Sequence, residues 1–350
     1  MRMERTLRAV HRWLPFGALV ILGGQSFWTL ATHQSAPAVW LVWLVALPLA
    51  LRWPVPTIIG ASLFLRIGFA DRCCADQILV SQSAWERVLS GAGPYGVGYA
   101  SSIPPGSPFP YGPLGVMWWV PGPIVEFAAA LVIMGILAWQ RALVTLAVFA
   151  LWQASVRPQW VGINDYSPGL LILIAMLVLR SRPLVGAICL AVGAALKPYA
   201  IAWFLPAIGF GGWSVAAVLA GATAVLWSPL LWWGGPAAYL ESVRMAGTIH
   251  PLPRDALNVP LLRWLAVPVA VAGLWVRRWE LAVLVGSAAF VTFLFLDFWA
   301  SYAYWLAVLP VSGLALESLA RSAYAGEGRE DDPTALPDRE ARTARRAAES

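Results

Sequence analysis

The sequence predicts an all-α polytopic membrane protein, a bundle of about twelve transmembrane helices, on three observations. Of its 350 residues 59% are hydrophobic and only 12% charged, with a mean hydropathy of +0.69, whereas a soluble domain carries about 25% charged residues. Apolar runs recur from Leu14 almost to Leu319, and roughly 20 apolar residues make one crossing. The runs are punctuated by arginines, which short cytoplasmic loops collect. A water-soluble fold is excluded. The net charge of +6 forms no basic face, so nucleic acid is not an expected partner.

The elements follow in order. Met1 to Arg12 carries Arg2, Arg5, Arg8 and Arg12 and runs into the apolar stretch Leu14 to Ala31 without a small-residue cleavage site, which reads as an uncleaved signal anchor. Starting inside, the first run goes out at Thr32 and the second, from Val39, returns to Arg52. Pro54 to Ala70 goes out and delivers the polar stretch Asp71 to Pro110 to the outer face. A kinked segment from Tyr111 comes back to Arg141, and Ala142 to Val156 goes out again. After an outer loop, Arg157 to Tyr166, Pro168 to Leu179 returns to Arg180 and Arg182. Pro183 to Leu196 leads out to Lys197, Tyr199 to Phe210 returns, and Trp213 to Trp233 leads to a second outer stretch, Gly234 to Pro260. Leu261 to Val276 ends inside at Arg277 and Arg278, and Leu281 to Leu296 and Tyr302 to Leu319 close the bundle. Several runs are short, so thinning, tilt or re-entrant pieces are expected. The transmembrane domain is 1–320. The remainder, 321–350, mixes charge with Pro333 and Pro337 and is expected to be a disordered cytoplasmic tail. The 21 tryptophans suit interfaces and helix packing.

Three cysteines exclude a disulfide framework or a repeated zinc pattern. Cys73 and Cys74 are adjacent, either a vicinal disulfide or small buried residues, and Cys189 sits in an apolar run. No carboxylate cluster suits a divalent ion, so neither metal nor cofactor is expected.

The first outer stretch is too particular for a connector. Ile78, Leu79, Ala84, Trp85, Val88 and Leu89 fit an amphipathic helix lying in the interface, which would hold Asp76 at the membrane surface. The prolines and glycines from Gly91 to Pro113 fix turns, so the loop should be ordered. Asp71, its rival, reads as a helix-end residue. Lys197, at an outer helix end, either meets a phosphate or snorkels to the interface. Arg72, Arg87, Arg157, Arg244 and Arg254 are further outer cations. Glu126 lies in an apolar segment, near an interface, protonated or paired, since a mid-bilayer charge costs about 2.5 to 3.5 kcal/mol. Asn164 and Asp165 either cap the helix near Ser167 or bind a ligand. Tyr95, Tyr99 and Tyr111 either stack on sugars or pack at the interface. His250 reads as a loop residue; His11 and His33 flank the first helix too far apart for a metal.

Asp76, Gly91, Pro94-Tyr95 and Pro108-Phe109-Pro110-Tyr111-Gly112-Pro113 together resemble the first outer loop of GT-C glycosyltransferases, nearest the polyprenol-phosphate-mannose-using glycosyltransferase family 87. Gly162-Ile163-Asn164-Asp165 with Ala195-Leu196-Lys197-Pro198 and Leu205-Pro206, and Leu257-Asn258 with Val259-Pro260-Leu261-Leu262, are similar to further segments of that family. The resemblance spans about residues 14 to 318. It implies a GT-C-like bundle with an ordered first extracytoplasmic loop, in the plasma membrane, moving mannose with inversion from a polyprenyl-phosphate donor to a glycolipid or glycan acceptor on the outer face. It also implies Asp76 as general base, Lys197 on the donor phosphate, and Tyr95, Tyr111, Asn164, Asp165 and Asn258 around substrate; Arg72, by its outer position, is a further candidate for that phosphate. One departure stands out. Where the family carries an aromatic followed by His-Tyr, this chain has Asp297-Phe298-Trp299-Ala300-Ser301-Tyr302.

The chemistry asks for little more. A polyprenyl phosphate leaves as a weakly basic ester without a general acid, unlike the paired carboxylates of hydrolases. One carboxylate accepting the acceptor proton supplies roughly 10²- to 10⁴-fold, and one cation stabilises the departing phosphate. The alternative class is a transporter or flippase for lipid-linked or small solutes, which should gather ionisable or helix-breaking residues at mid-membrane. A third is a lipid-binding scaffold in an envelope-synthesis complex.

Overall fold

A computed structural model describes residues 13–34, 36–70, 76–157, 162–249, 261–296 and 302–330. The N-terminal arginines, Cys73, Cys74, Asp71, His250, Arg254, Asp297 to Ser301 and residues 331–350 lie outside them. The described residues fold mostly as helix because their apolar runs are long enough to satisfy their own backbone groups, the requirement that lipid imposes.

Among the described residues, three helices are long and apolar enough to cross a membrane: α1 (Trp13–Gln34), α12 (Trp213–Leu231) and α16, whose apolar part is Trp305–Ala323. Shorter apolar helices occupy the positions of other expected crossings: α2 (Ala38–Arg52), α3 (Pro54–Gly68), α6 (Pro123–Trp139), α9 (Tyr166–Leu179), α10 (Pro183–Leu196), α11 (Pro198–Gly211), α14 (Leu262–Trp275) and α15 (Trp279–Phe295). Proline stands at the first helical position of α3, α6 and α10, where its missing N–H costs nothing and its fixed φ favours the turn. The stretch 142–156, expected as one run, is instead α7 (Leu143–Leu151) and α8 (Gln153–Val156), broken where Trp152 turns extended. α16 continues to Glu330, so the boundary expected at 320 falls inside a helix.

Between α3 and α6 the first loop folds as α4 (Asp76–Leu89), a hairpin of β1 (Gly98–Tyr99) and β2 (Ser107–Pro108), and the short α5 (Gly115–Trp118). α4 is amphipathic, and its apolar face runs from Val80 through Ala84, Val88 and Trp85 to Ile78. Ile78 packs with Trp119 and Leu196, while Val80 and Ala84 join Tyr95, Tyr99 and Phe109, and Leu89 is exposed. The two clusters meet neighbouring edges of one face, so the apolar side of α4 is covered by the chain itself.

The two long polar stretches pack on each other. The Gly96 N–H donates to Ser242 Oγ of α13 (Gly235–Ile249) at 2.8 Å, and a Cβ at Gly93 would stand 2.8 Å from the Trp233 carbonyl oxygen. Tyr239 meets the Tyr95 and Trp227 rings edge to face, and Tyr95 meets Trp233 at a tilt, which knits the two together. At the opposite end of the bundle lie the short basic turns. Arg321 donates to the Arg141 carbonyl, Arg180 covers the Trp279 ring at 4.8 Å, and Arg277 donates to the Gly209 carbonyl.

Candidate functional site

The site is built from helix ends. α9 begins after Asp165 and α10 stops at Lys197, and the two helices are antiparallel neighbours, so both residues arrive at one end of the bundle. Lys197 Nζ donates to Asp165 Oδ1 at 2.7 Å, and the Tyr199 hydroxyl donates to the same oxygen at 2.9 Å. The Lys197 ammonium also faces the rings of Tyr111, Tyr199 and Tyr304 at 5.1, 5.6 and 5.9 Å. Each such contact is worth about 0.5 to 2 kcal/mol. Removing one member of so buried an ion pair costs about 3 to 5 kcal/mol, because the other charge is stranded.

The first loop is fastened onto this pair by backbone. The Gly112 N–H donates to the Leu196 carbonyl and the Leu114 N–H to the Ala195 carbonyl, both at 3.0 Å. Only glycine permits that approach, since a Cβ at 112 would lie 2.1 Å from the Ala195 oxygen. The Tyr95 hydroxyl donates to the Tyr111 carbonyl at 3.1 Å, which holds the aromatic face of Tyr111 against Lys197. At the other end of the loop, Gln77 in the first turn of α4 accepts the Asn164 N–H at 3.0 Å.

Glu126, in the first turn of α6, closes the floor. Its carboxylate accepts from the Tyr166 and Ser167 N–H groups at 2.8 and 3.1 Å, from the Ser167 hydroxyl, and from Trp119 Nε1 at 2.8 Å. This corrects one expectation. Asp165 occupies the cap position of α9 but makes no capping bond; a carboxylate from another helix caps α9, which frees Asp165 for Lys197.

Asp165 and Asn164 are fully buried. Asp165 Oδ2 and both polar atoms of the Asn164 amide have no hydrogen-bond partner among the described residues. Leaving such a group unmet costs about 1 to 3 kcal/mol.

Tyr111, Asn164, Asp165 and Lys197 therefore meet, four of the residues named from sequence. Lys197 does not snorkel; it is buried and its charge is balanced by Asp165. A phosphate on Lys197 would have to compete with that carboxylate. Tyr95 stands one layer away in its aromatic cluster, with burial raising its phenol well above the usual range. Burial also raises the Tyr99 phenol to about 12, against the pull of Arg87, so it stays protonated and donates to the Pro94 carbonyl at 2.7 Å. Asp76 opens α4 directly before Gln77, but its side chain, like Arg72 and Asn258, lies outside what is described. Of the other cations expected on the outer face, Arg87 Nε is held by the Gly93 carbonyl at 2.6 Å and Arg244 pairs with Glu241 on the surface.

Sequence reasoning missed Gln77, Tyr199 and Tyr304, and also Arg66. Arg66 is fully buried in the last turn of α3, donating to Ser62 and to the Phe149 carbonyl and lying over the Phe149 and Tyr166 rings. A charge inside an apolar run was the available signal. No protein-family model, curated protein or solved structure matches the chain.

Proposed function

We propose that the chain is a multi-pass plasma-membrane glycosyltransferase that moves a sugar, mannose by the resemblance, from a polyprenyl phosphate to a glycolipid or glycan hydroxyl. One observation carries the reading. Three segments picked out separately by sequence, the Asp76-bearing loop, Asn164-Asp165 and Lys197-Pro198, are tied to one another by Gln77–Asn164, Asp165–Lys197 and Gly112–Leu196 contacts.

In this reading the acceptor oxygen attacks the anomeric carbon as the bond to the phosphate oxygen breaks. Asp76 takes the hydroxyl proton, and the polyprenyl phosphate leaves with the electron pair. Inversion follows from single displacement. The extracytoplasmic placement is supported by the basic turns at the opposite end, at Arg141, Arg180, Arg182, Arg277 and Arg278, since cytoplasmic loops gather such residues. In this arrangement twelve crossings are made, the short helices spanning where the bilayer is thinned. Transport is disfavoured by the position of the buried ionisable groups. Arg66, Glu126, Asp165 and Lys197 all stand at the helix ends away from the basic turns, a placement that suits a site at one face better than a carrier site at the midplane.

The test is incubation of protein purified in lipid nanodiscs with radiolabelled polyprenyl-phosphate sugars and membrane lipid extract. A new labelled glycolipid is expected, lost in Asp76→Ala and Asp76→Asn at unchanged yield and thermal midpoint. Near wild-type transfer by Asp76→Ala refutes the assignment of the base. No product from any donor turns the reading toward transport.

A further inference from the structure

Among the described residues, Asn164 and Asp165 hold an amide NH₂, an amide oxygen and a carboxylate oxygen that are buried and unpartnered. The chemistry of the three is selective. A phosphate offers only acceptors, and two of the three waiting atoms are acceptors, one of them on a carboxylate; a phosphate here would face repulsion. A hydroxyl both donates and accepts. Two neighbouring hydroxyls satisfy the set, one donating to Asp165 Oδ2 while accepting from Asn164 Nδ2, the other donating to Asn164 Oδ1. The remaining atoms of the two residues are committed, Asp165 Oδ1 to Lys197 and Tyr199 and the Asn164 N–H to Gln77. The committed atoms fix the two residues in place, and the three uncommitted atoms are enclosed beside them.

We infer that Asn164 and Asp165 form a recognition corner for a vicinal diol of one monosaccharide unit, and that phosphate is excluded from it. The inference rests on the glycosyl-transfer reading for its ligand class, but not for its test. It assigns the Lys197–Asp165 pair a positioning role: Lys197 fixes one carboxylate oxygen so that the other points to the sugar. The atoms are enclosed in the unliganded chain, so binding requires local opening, and equilibrium measurement suits it better than rapid mixing.

The experiment compares wild type with Asn164→Leu in nanodiscs. Thermal unfolding is followed by intrinsic fluorescence, and binding by saturation-transfer nuclear magnetic resonance with methyl α-D-mannopyranoside, its 2-deoxy and 4-deoxy analogues, and inorganic phosphate. Leucine keeps the branched outline of asparagine, with methyls for the amide atoms, and leaves no unmet polar atom, so its removal of two unmet polar groups offsets its extra volume and Asn164→Leu should unfold at about the wild-type temperature or above it. It should lose mannoside binding by about 10-fold or more, as expected where a site built for hydroxyls is denied them. At least one deoxy analogue should bind wild type as weakly, and phosphate should not compete. A lower unfolding temperature for Asn164→Leu would mean that the amide serves the fold, overturning the inference. So would unchanged mannoside binding, or competition by phosphate at the same site. Wild-type binding of mannoside without transfer from any donor would sink the enzymatic reading and leave the diol corner standing.

Discussion

Replacing Gly112 by alanine forces apart two backbones that the site needs in contact. The added methyl would stand 2.1 Å from the Ala195 oxygen and 2.5 Å from its carbon, and ordinary contact begins at 3.4 Å. Neither neighbour is a flexible side-chain tip, so the loop must retreat by more than about 1 Å. Retreat breaks the Gly112–Leu196 and Leu114–Ala195 bonds, at about 1 kcal/mol each, and overpacking adds about 1 to 3 kcal/mol, together about 3 to 5 kcal/mol. The loop can relieve this by lifting locally, so the loss falls more on geometry than on global stability. A misplacement near 1 Å at a reacting centre costs about 100-fold in rate. Labelled-glycolipid formation should therefore fall about 100-fold in Gly112→Ala, with a thermal midpoint lowered by only a few degrees. Gly135→Ala in α6, where a methyl meets nothing within 4 Å, is the control and should be neutral or stabilising by up to about 1 kcal/mol. Wild-type transfer and midpoint in Gly112→Ala would refute the claim that this contact sets the site.

Other outcomes follow from the same contacts. Glu126→Gln places an amide NH₂ among N–H donors and should destabilise by about 2 kcal/mol or more; an unchanged unfolding midpoint would show that the cap of α9 does not need the carboxylate. Asp165→Asn and Lys197→Met should each cost about 3 to 5 kcal/mol, and the double variant markedly less than their sum; strict additivity in chemical unfolding would deny the coupling. In a background lacking Cys73, Cys74 and Cys189, a membrane-impermeant maleimide should label Ser101→Cys on intact cells and spare Ser322→Cys, both positions being exposed. Labelling in the reverse pattern would invert the topology and end the proposed extracytoplasmic site.

Helix placement was legible because arginines and prolines bracket the apolar runs; Pro183 to Leu196 is read from sequence at the limits it has in the fold. The break at Trp152 was not, since Leu143 to Val156 contains no proline or glycine to mark a turn and Gln153 and Ser155 alone interrupt its apolar second half. Within the site, Asn164, Asp165 and Lys197 stood out as polar residues at the edges of apolar runs. Their division of labour did not, because the group that caps α9 is Glu126, 40 residues before the Tyr166 N–H it receives. Gln77 and Tyr304 are ordinary in sequence and gain meaning only through partners contributed by other helices.

The seam between the hairpin loop and α13 bears on how the chain is made. Gly96 and Ser242 are 146 positions apart, and ribosomes add about 5 to 20 residues per second, so the loop waits about 7 to 30 seconds for its partner to be synthesised. During that interval Tyr95, Val80 and Phe109 have nothing from α13 to cover them, and newborn chains would be most vulnerable to proteases and most dependent on insertion factors. Truncations ending before about residue 235 should then be degraded while their upstream helices are already in the bilayer.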